Sequence, residues 1–266
     1  MQIPDFTLQD TLTPDQASFF EDNGFIRFRN VATQGECDTI CAALDQLSDQ
    51  FVQAERKKVL GIPLQWGARP SGDRYVQRYA YSSHYASDIH DFVTDGRFEP
   101  VRLLCGEEAR LAETEKDGVV VNDFINDDGS SWKKLGWHTD GLRDLFYLTL
   151  PEPMLNVGLY LDDCPLEKGG VRLIPGTHKQ GFWSMAFGKA YFLDHRPDAR
   201  EVALTARRGD LTIHDGRLWH RTAQALSNGP ESRRRTMYMA YIDGPERHRT
   251  ESSGMPFYHQ LRAWFT

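Results

Sequence analysis

A jelly-roll β-barrel, a double-stranded β-helix of the cupin kind with helices packed on it, is the fold that this 266-residue sequence predicts. Three observations predict it. From residue 118 onward apolar and polar positions alternate, as in Leu155, Val157, Leu159 and Leu161 against Asn156, Gly158, Tyr160 and Asp162, which is the period of a strand. Turns rich in glycine, proline and aspartate separate these runs, for example Glu167-Lys168-Gly169-Gly170 and Pro175-Gly176. The first third carries helical spacing instead, and many short strands after leading helices suit a mainly β barrel with helical additions.

Taken in order, Thr13-Pro14-Asp15-Gln16 is a capping box with proline at the first helical position, and Asn23-Gly24 is a stop. Residues 25–31 read as a short strand. Thr33-Gln34-Gly35-Glu36 starts a second helix, with Cys37, Ile40, Cys41, Leu44 and Leu47 on one face. Residues 51–100 mix prolines, glycines, arginines and aromatics and read mostly as loop or extended chain. Further strands are expected over 119–126, 155–162, 171–174, 202–205, 211–214 and 235–242. The expected organisation is one domain over 1–266: a helical and loop part to 117, a jelly-roll core over 118–244, and an extension from 245.

The formal net charge of −7 argues against broad nucleic-acid or anionic-membrane binding, which needs a basic surface. The N-terminus shows no basic region followed by an apolar run, and no stretch approaches a membrane span. Cys37, Cys41, Cys105 and Cys164 form no CxxC pair and read as structural thiols. A protein of a reducing, cytoplasmic compartment acting on a small molecule is expected; the oligomeric state is left open.

The chemistry sits in Gly136-Trp137-His138-Thr139-Asp140-Gly141, which holds the sole His-x-Asp of the chain. On a strand, residues two apart share a face, so both side chains can reach one metal. Two imidazoles and a carboxylate on one side of an octahedral Fe(II) leave three positions for a chelating co-substrate and O2. The third ligand must come from elsewhere in the fold, and His220, in Leu218-Trp219-His220-Arg221-Thr222, is the candidate. His-x-Asp alone is a weak signal, so the context decides.

That context resembles the phytanoyl-CoA dioxygenase-like family, which also includes ectoine hydroxylase. Leu12 to Gln16 leading to Asn23-Gly24-Phe25-Ile26 looks like the family's opening, and Trp137 to Asp140 like its proximal iron motif. The run from Gly169 through Ile174-Pro175-Gly176-Thr177-His178 is similar to its glycine turn, strand and IPGSH segment. Gly209-Asp210 followed by Trp219-His220 resembles its distal iron motif. The resemblance implies a jelly roll holding Fe(II) through His138, Asp140 and His220. It also implies 2-oxoglutarate as co-substrate, oxidised to succinate and CO2 while O2 is consumed.

The run Arg233-Arg234-Arg235 stands where the family keeps its co-substrate arginine, whose planar fork suits bidentate capture of a carboxylate. Alternation lets either Arg234 or the pair Arg233 and Arg235 face inward; the family's strand pattern favours Arg234. Asn122 and Asn126, four apart on one strand face, match positions where ectoine hydroxylase-like members contact the co-substrate. Thr222 points the same way as His220 and is placed to bond a co-substrate carboxylate. His214 is expected near the site without ligating, and His178 is expected to be structural. An intact carboxylate at Asp140 argues against halogenation, since halogenating relatives have a small residue there.

Hydroxylation of a small organic molecule is thus the expected activity. Epimerisation, ring closure or desaturation with the same cofactors is the alternative, since substrate pose decides the outcome. A non-catalytic jelly-roll binding module would be favoured only by a broken triad or arginine. Substrate choice is expected to lie in 66–85 and 182–192, whose arginines Arg69, Arg74 and Arg78 hint at an anionic substrate and whose aromatics include Phe187.

Overall fold

In the computed structural model, which describes residues 1–69, 71–130, 133–147 and 151–256, helix α1 (Pro14–Asn23) starts as its cap demands. The Thr13 side chain accepts from the Gln16 N–H while the Gln16 side chain accepts from the Thr13 N–H. Such a cap stabilises a helix by about 1 kcal/mol. Gly24 ends it at φ 76°, and a Cβ there would stand 2.3 Å from the His178 ring, so both conformation and space require glycine. Strand β1 (Phe25–Phe28) follows, shorter than expected. Helix α2 (Gln34–Gln53), capped by Thr33, buries Cys37, Ile40, Leu44, Leu47 and Phe51 on one stripe.

The segment expected as loop is largely ordered structure. It holds the hairpin β2 (Lys58–Val59) and β3 (Ile62–Pro63), strands β4 (Gln65–Ala68) and β5 (Arg74–Tyr79), and helices α3 (Ser82–Tyr85), α4 (Ser87–Val93) and α5 (Glu99–Cys105). The barrel strands are β6 (Arg110–Leu111), β7 (Val120–Asn126), β8 (Leu135–His138), β9 (Met154–Tyr160), β10 (Gly170–Leu173), β11 (Val202–Ala203), β12 (Leu211–Asp215), β13 (His220–Ala223) and β14 (Gly229–Ile242). The short helix α6 (Phe182–Phe187) lies in the insertion after β10. Strand β14 begins six residues before the expected start, because the turn after β13 feeds straight into it.

Two antiparallel sheets face each other, as a jelly roll requires. The major sheet runs β1-β12-β9-β14-β7-β5-β4 with β6 beside β14, and the minor sheet runs β11-β10-β13-β8. One face of the major sheet packs on the helices. Leu155, Val157 and Leu159 of β9, Val121 of β7, and Met237, Met239 and Tyr241 of β14 join the α2 stripe in the largest core cluster. Burying each such side chain contributes about 1.5–3 kcal/mol. The opposite face, every second residue, looks into the space between the sheets. Among the described residues no helix is long and apolar enough to cross a membrane.

Candidate active site

Strands β8 and β13 pair so that His138 and His220 lie directly opposite each other, with ring centroids 4.1 Å apart. Each ring is oriented by its own backbone: His138 Nδ1 donates to the Gly136 carbonyl at 2.8 Å and His220 Nδ1 to the Leu218 carbonyl at 3.0 Å. That fixes the tautomer and leaves both Nε2 lone pairs for a metal. Asp140 completes the group, and one ligand atom from each of the three lies within 4.8 Å of the others. Contrary to the expectation of a shared strand face, β8 ends at His138, so Asp140 reaches the site from the turn that follows and not by strand alternation.

All three side chains are buried. Burial first, then the facing His138 and His214 rings, pushes His220 well below the usual histidine value, so it stays neutral and able to ligate. Asn156 Nδ2 donates to Asp140 Oδ2 at 2.8 Å and orients the carboxylate. Its cross-strand partner His214 is buried, with Nε2 3.6 Å from the same oxygen. His214 therefore lies behind the site, against Asp140. His178 bonds the Glu21 carbonyl at 2.9 Å and ties the IPG segment to α1.

A cavity of about 170 Å3 opens between the sheets and is lined by the triad, Asn122, Thr222, Arg234 and Arg78 among others. The inward face of β14 supplies Arg234, whose Nη1 donates to the Lys168 carbonyl and whose buried Nη2 has no partner. Burial draws this guanidinium below the usual arginine range. A carboxylate would restore the lost stabilisation, so the arginine fits a dicarboxylate. Arg233 and Arg235 turn to the other face and share Asp123, at 2.7 and 3.3 Å. Asn126 is not at the cavity: its Nδ2 holds the Ala225 and Ser227 carbonyls and Asn228, and its Oδ1 accepts from Gln224. The β7–β14 register shifts between Gly229 and Arg234, so Asn126 meets the turn before β14 while Asn122 faces Thr236.

A match to the model of the phytanoyl-CoA dioxygenase family spans residues 20–235. The chain belongs to the phytanoyl-CoA dioxygenase family. As a member it is a non-haem iron, 2-oxoglutarate-dependent enzyme, and the donor set and the unmet Arg234 nitrogen fit that pair. Solved structures share the fold. The epimerase SnoN from nogalamycin biosynthesis is 20% identical, covering 90% of this chain and 86% of its own at a TM-score of 0.64. The carbocyclase SnoK from nogalamycin biosynthesis is 18% identical, covering 97% and 93% at a TM-score of 0.65. HygX from Streptomyces hygroscopicus, solved with nickel and 2-oxoglutarate, is 21% identical, covering 87% of both chains at 0.62. No functionally curated protein matches the sequence.

Of the three arginines, only Arg78 lines the cavity; Arg74 lies over the Trp66 ring at 4.5 Å and Arg69 over Tyr75 at 5.3 Å. Tyr79 and Tyr81 are core residues. In the insertion, Tyr191 and Phe192 reach the cavity, with Phe192 4.9 Å from the His138 ring, whereas Phe187 is 74% exposed. Asn156, Gln65 and Lys116 were missed; alternation along β9 places Asn156 beside Tyr160 on the inward side and could have revealed it.

Proposed function

We propose that this enzyme hydroxylates a small organic molecule, with His138, Asp140 and His220 holding Fe(II) and Arg234, Asn122 and Thr222 holding 2-oxoglutarate. The supporting observation is that the triad and the half-paired, buried Arg234 line one cavity. When bound, the iron and co-substrate supply an oxidant strong enough to take hydrogen from carbon, at the cost of one 2-oxoglutarate decarboxylated to succinate. The protein's own residues do the rest. Backbone carbonyls fix the two imidazoles, Asn156 orients the carboxylate, and Phe192 and Tyr191 cover the metal face and exclude water. Thr222 and Asn122 line the same cavity and offer hydrogen bonds there.

Epimerisation or ring closure is the second reading, favoured by the printed activities of SnoN and SnoK. The same walls serve either, because the substrate carbon nearest the metal decides the product. The test is mass spectrometry of the purified protein with Fe(II), 2-oxoglutarate and a metabolite library. Gain of one oxygen supports hydroxylation, loss of two hydrogens supports ring closure or desaturation, and an isomeric product supports epimerisation. Absence of succinate under every condition would overturn both readings.

A further inference from the structure

We propose that Arg78 and Gln65 form the substrate's anchor, a donor and acceptor pair that takes a hydroxyl group of a neutral molecule and discriminates against a carboxylate. The inference rests on the cofactor assignment above, which gives the Arg234 end of the cavity to the co-substrate.

Sheet register lays out the geometry. Gln65 of β4 faces Arg78 of β5, Arg78 faces Asn122 of β7, Asn122 faces Thr236 of β14, and Thr236 faces Tyr160 of β9. This single row crosses five strands, and each of its residues lines the cavity. Arg234 stands in the next inward row, opposite Phe124. The two arginines thus line one cavity from adjacent rows, Arg78 on β5 and Arg234 two strands away on β14.

Arg78 Nη2 pairs with Asp117 Oδ2 at 2.8 Å, which fixes the guanidinium. Its Nη1 is buried without a partner, and so is Gln65 Oε1 on the neighbouring strand. Buried polar groups are seldom left unmet, so an adjacent unmet donor and acceptor mark a binding position. A hydroxyl donates one hydrogen and accepts through two lone pairs, so it satisfies both. A carboxylate only accepts and would face the Gln65 oxygen.

Charge points the same way. Asp117 neutralises Arg78, and Asp144 neutralises Lys116, the other cavity cation on this side, at 2.7 Å. A substrate carboxylate would then add an uncompensated charge to a buried space. Sites built to bond a hydroxyl reject analogues lacking it strongly, because their own polar groups are left unmet.

The test uses the full chain loaded with Mn(II) and 2-oxoglutarate, with propan-1-ol and propanoate as probes read by paramagnetic broadening of their protons. Arg78→Met and Gln65→Met should each cut propanol broadening by about fivefold, one net hydrogen bond's worth. Propanoate broadening should not fall in either variant, and 2-oxoglutarate affinity should stay within about twofold. Propanol broadening indifferent to Gln65→Met, or propanoate broadening that falls with Arg78→Met, would overturn the proposal. A tenfold loss of 2-oxoglutarate affinity in Arg78→Met would overturn it too, returning Arg78 to the co-substrate. Failure of the unsubstituted protein to bind 2-oxoglutarate would remove the reading beneath it, a distinct result.

Discussion

Arg233, Arg234 and Arg235 follow one another on β14, and alternation sends the outer two to Asp123 and the middle one into the cavity. Arg234→Ala should raise the KM for 2-oxoglutarate about 30-fold, the lower bound for losing one side of a desolvated charge pair. Iron binding should survive, which separate metal analysis checks. Arg235, buried between Asp123 and Asp45, should respond the other way. Arg235→Ala leaves Asp123 with Arg233 as its remaining partner and should cost about 1–3 kcal/mol of stability, the range for a lost hydrogen bond to a charged group. Its KM for 2-oxoglutarate should not move, as denaturant titration beside steady-state kinetics would show. The motifs made the triad legible in the sequence, whereas alternation left Arg234 open against the pair Arg233 and Arg235 and only the resemblance to the family's strand pattern favoured it. The sequence misled on Asn126, because β14 bulges away from the end of β7 and the 225–228 turn takes up the Asn126 amide.

At the scale of elements, β4 and β5 were illegible for a physical reason. Strand β5 is buried on both sides, by α2 on one and the cavity on the other, so it lacks the apolar–polar alternation of a half-exposed strand. In β4 the Trp66 ring is covered by the Arg74 guanidinium, which hides an aromatic behind a charge in the sequence. These two strands nevertheless carry Arg78 and Gln65 to the cavity. The insertion after β10 was legible as a cover but not in detail. Its segment near 192 pairs with β8: Phe192 N–H donates to the Trp137 carbonyl and Trp137 N–H to the Asp194 carbonyl, both at 2.8 Å. Phe192→Ala should therefore lower the ratio of oxidised product to succinate, while Phe187→Ala, on the exposed face, should leave it unchanged. Gly136 lies under this contact, and a Cβ there would stand 2.2 Å from the Phe192 carbonyl. Gly136→Ala should cost about 1–3 kcal/mol through overpacking and lower Tm accordingly; an unchanged Tm would detach the insertion from β8.

For the molecule as a whole, period-two runs from β7 onward, helical caps before them and glycine turns between them were enough for the jelly roll. The hint of an anionic substrate came from counting arginines along the chain. It weakened once folding paired Arg78 with Asp117 and laid Arg69 and Arg74 over aromatic rings. Charge in sequence becomes electrostatic potential only after its partners are placed. The proposed function requires one buried site to join iron, through His138, Asp140 and His220, to 2-oxoglutarate, through Arg234. Anaerobic titration of the Fe(II) protein with 2-oxoglutarate, followed by the visible charge-transfer absorption of the chelate, tests it most directly. A band saturating at about one co-substrate per iron is expected, absent in His220→Ala and reached only at about 30-fold higher concentration in Arg234→Ala. A band of unchanged intensity and midpoint in His220→Ala would contradict it.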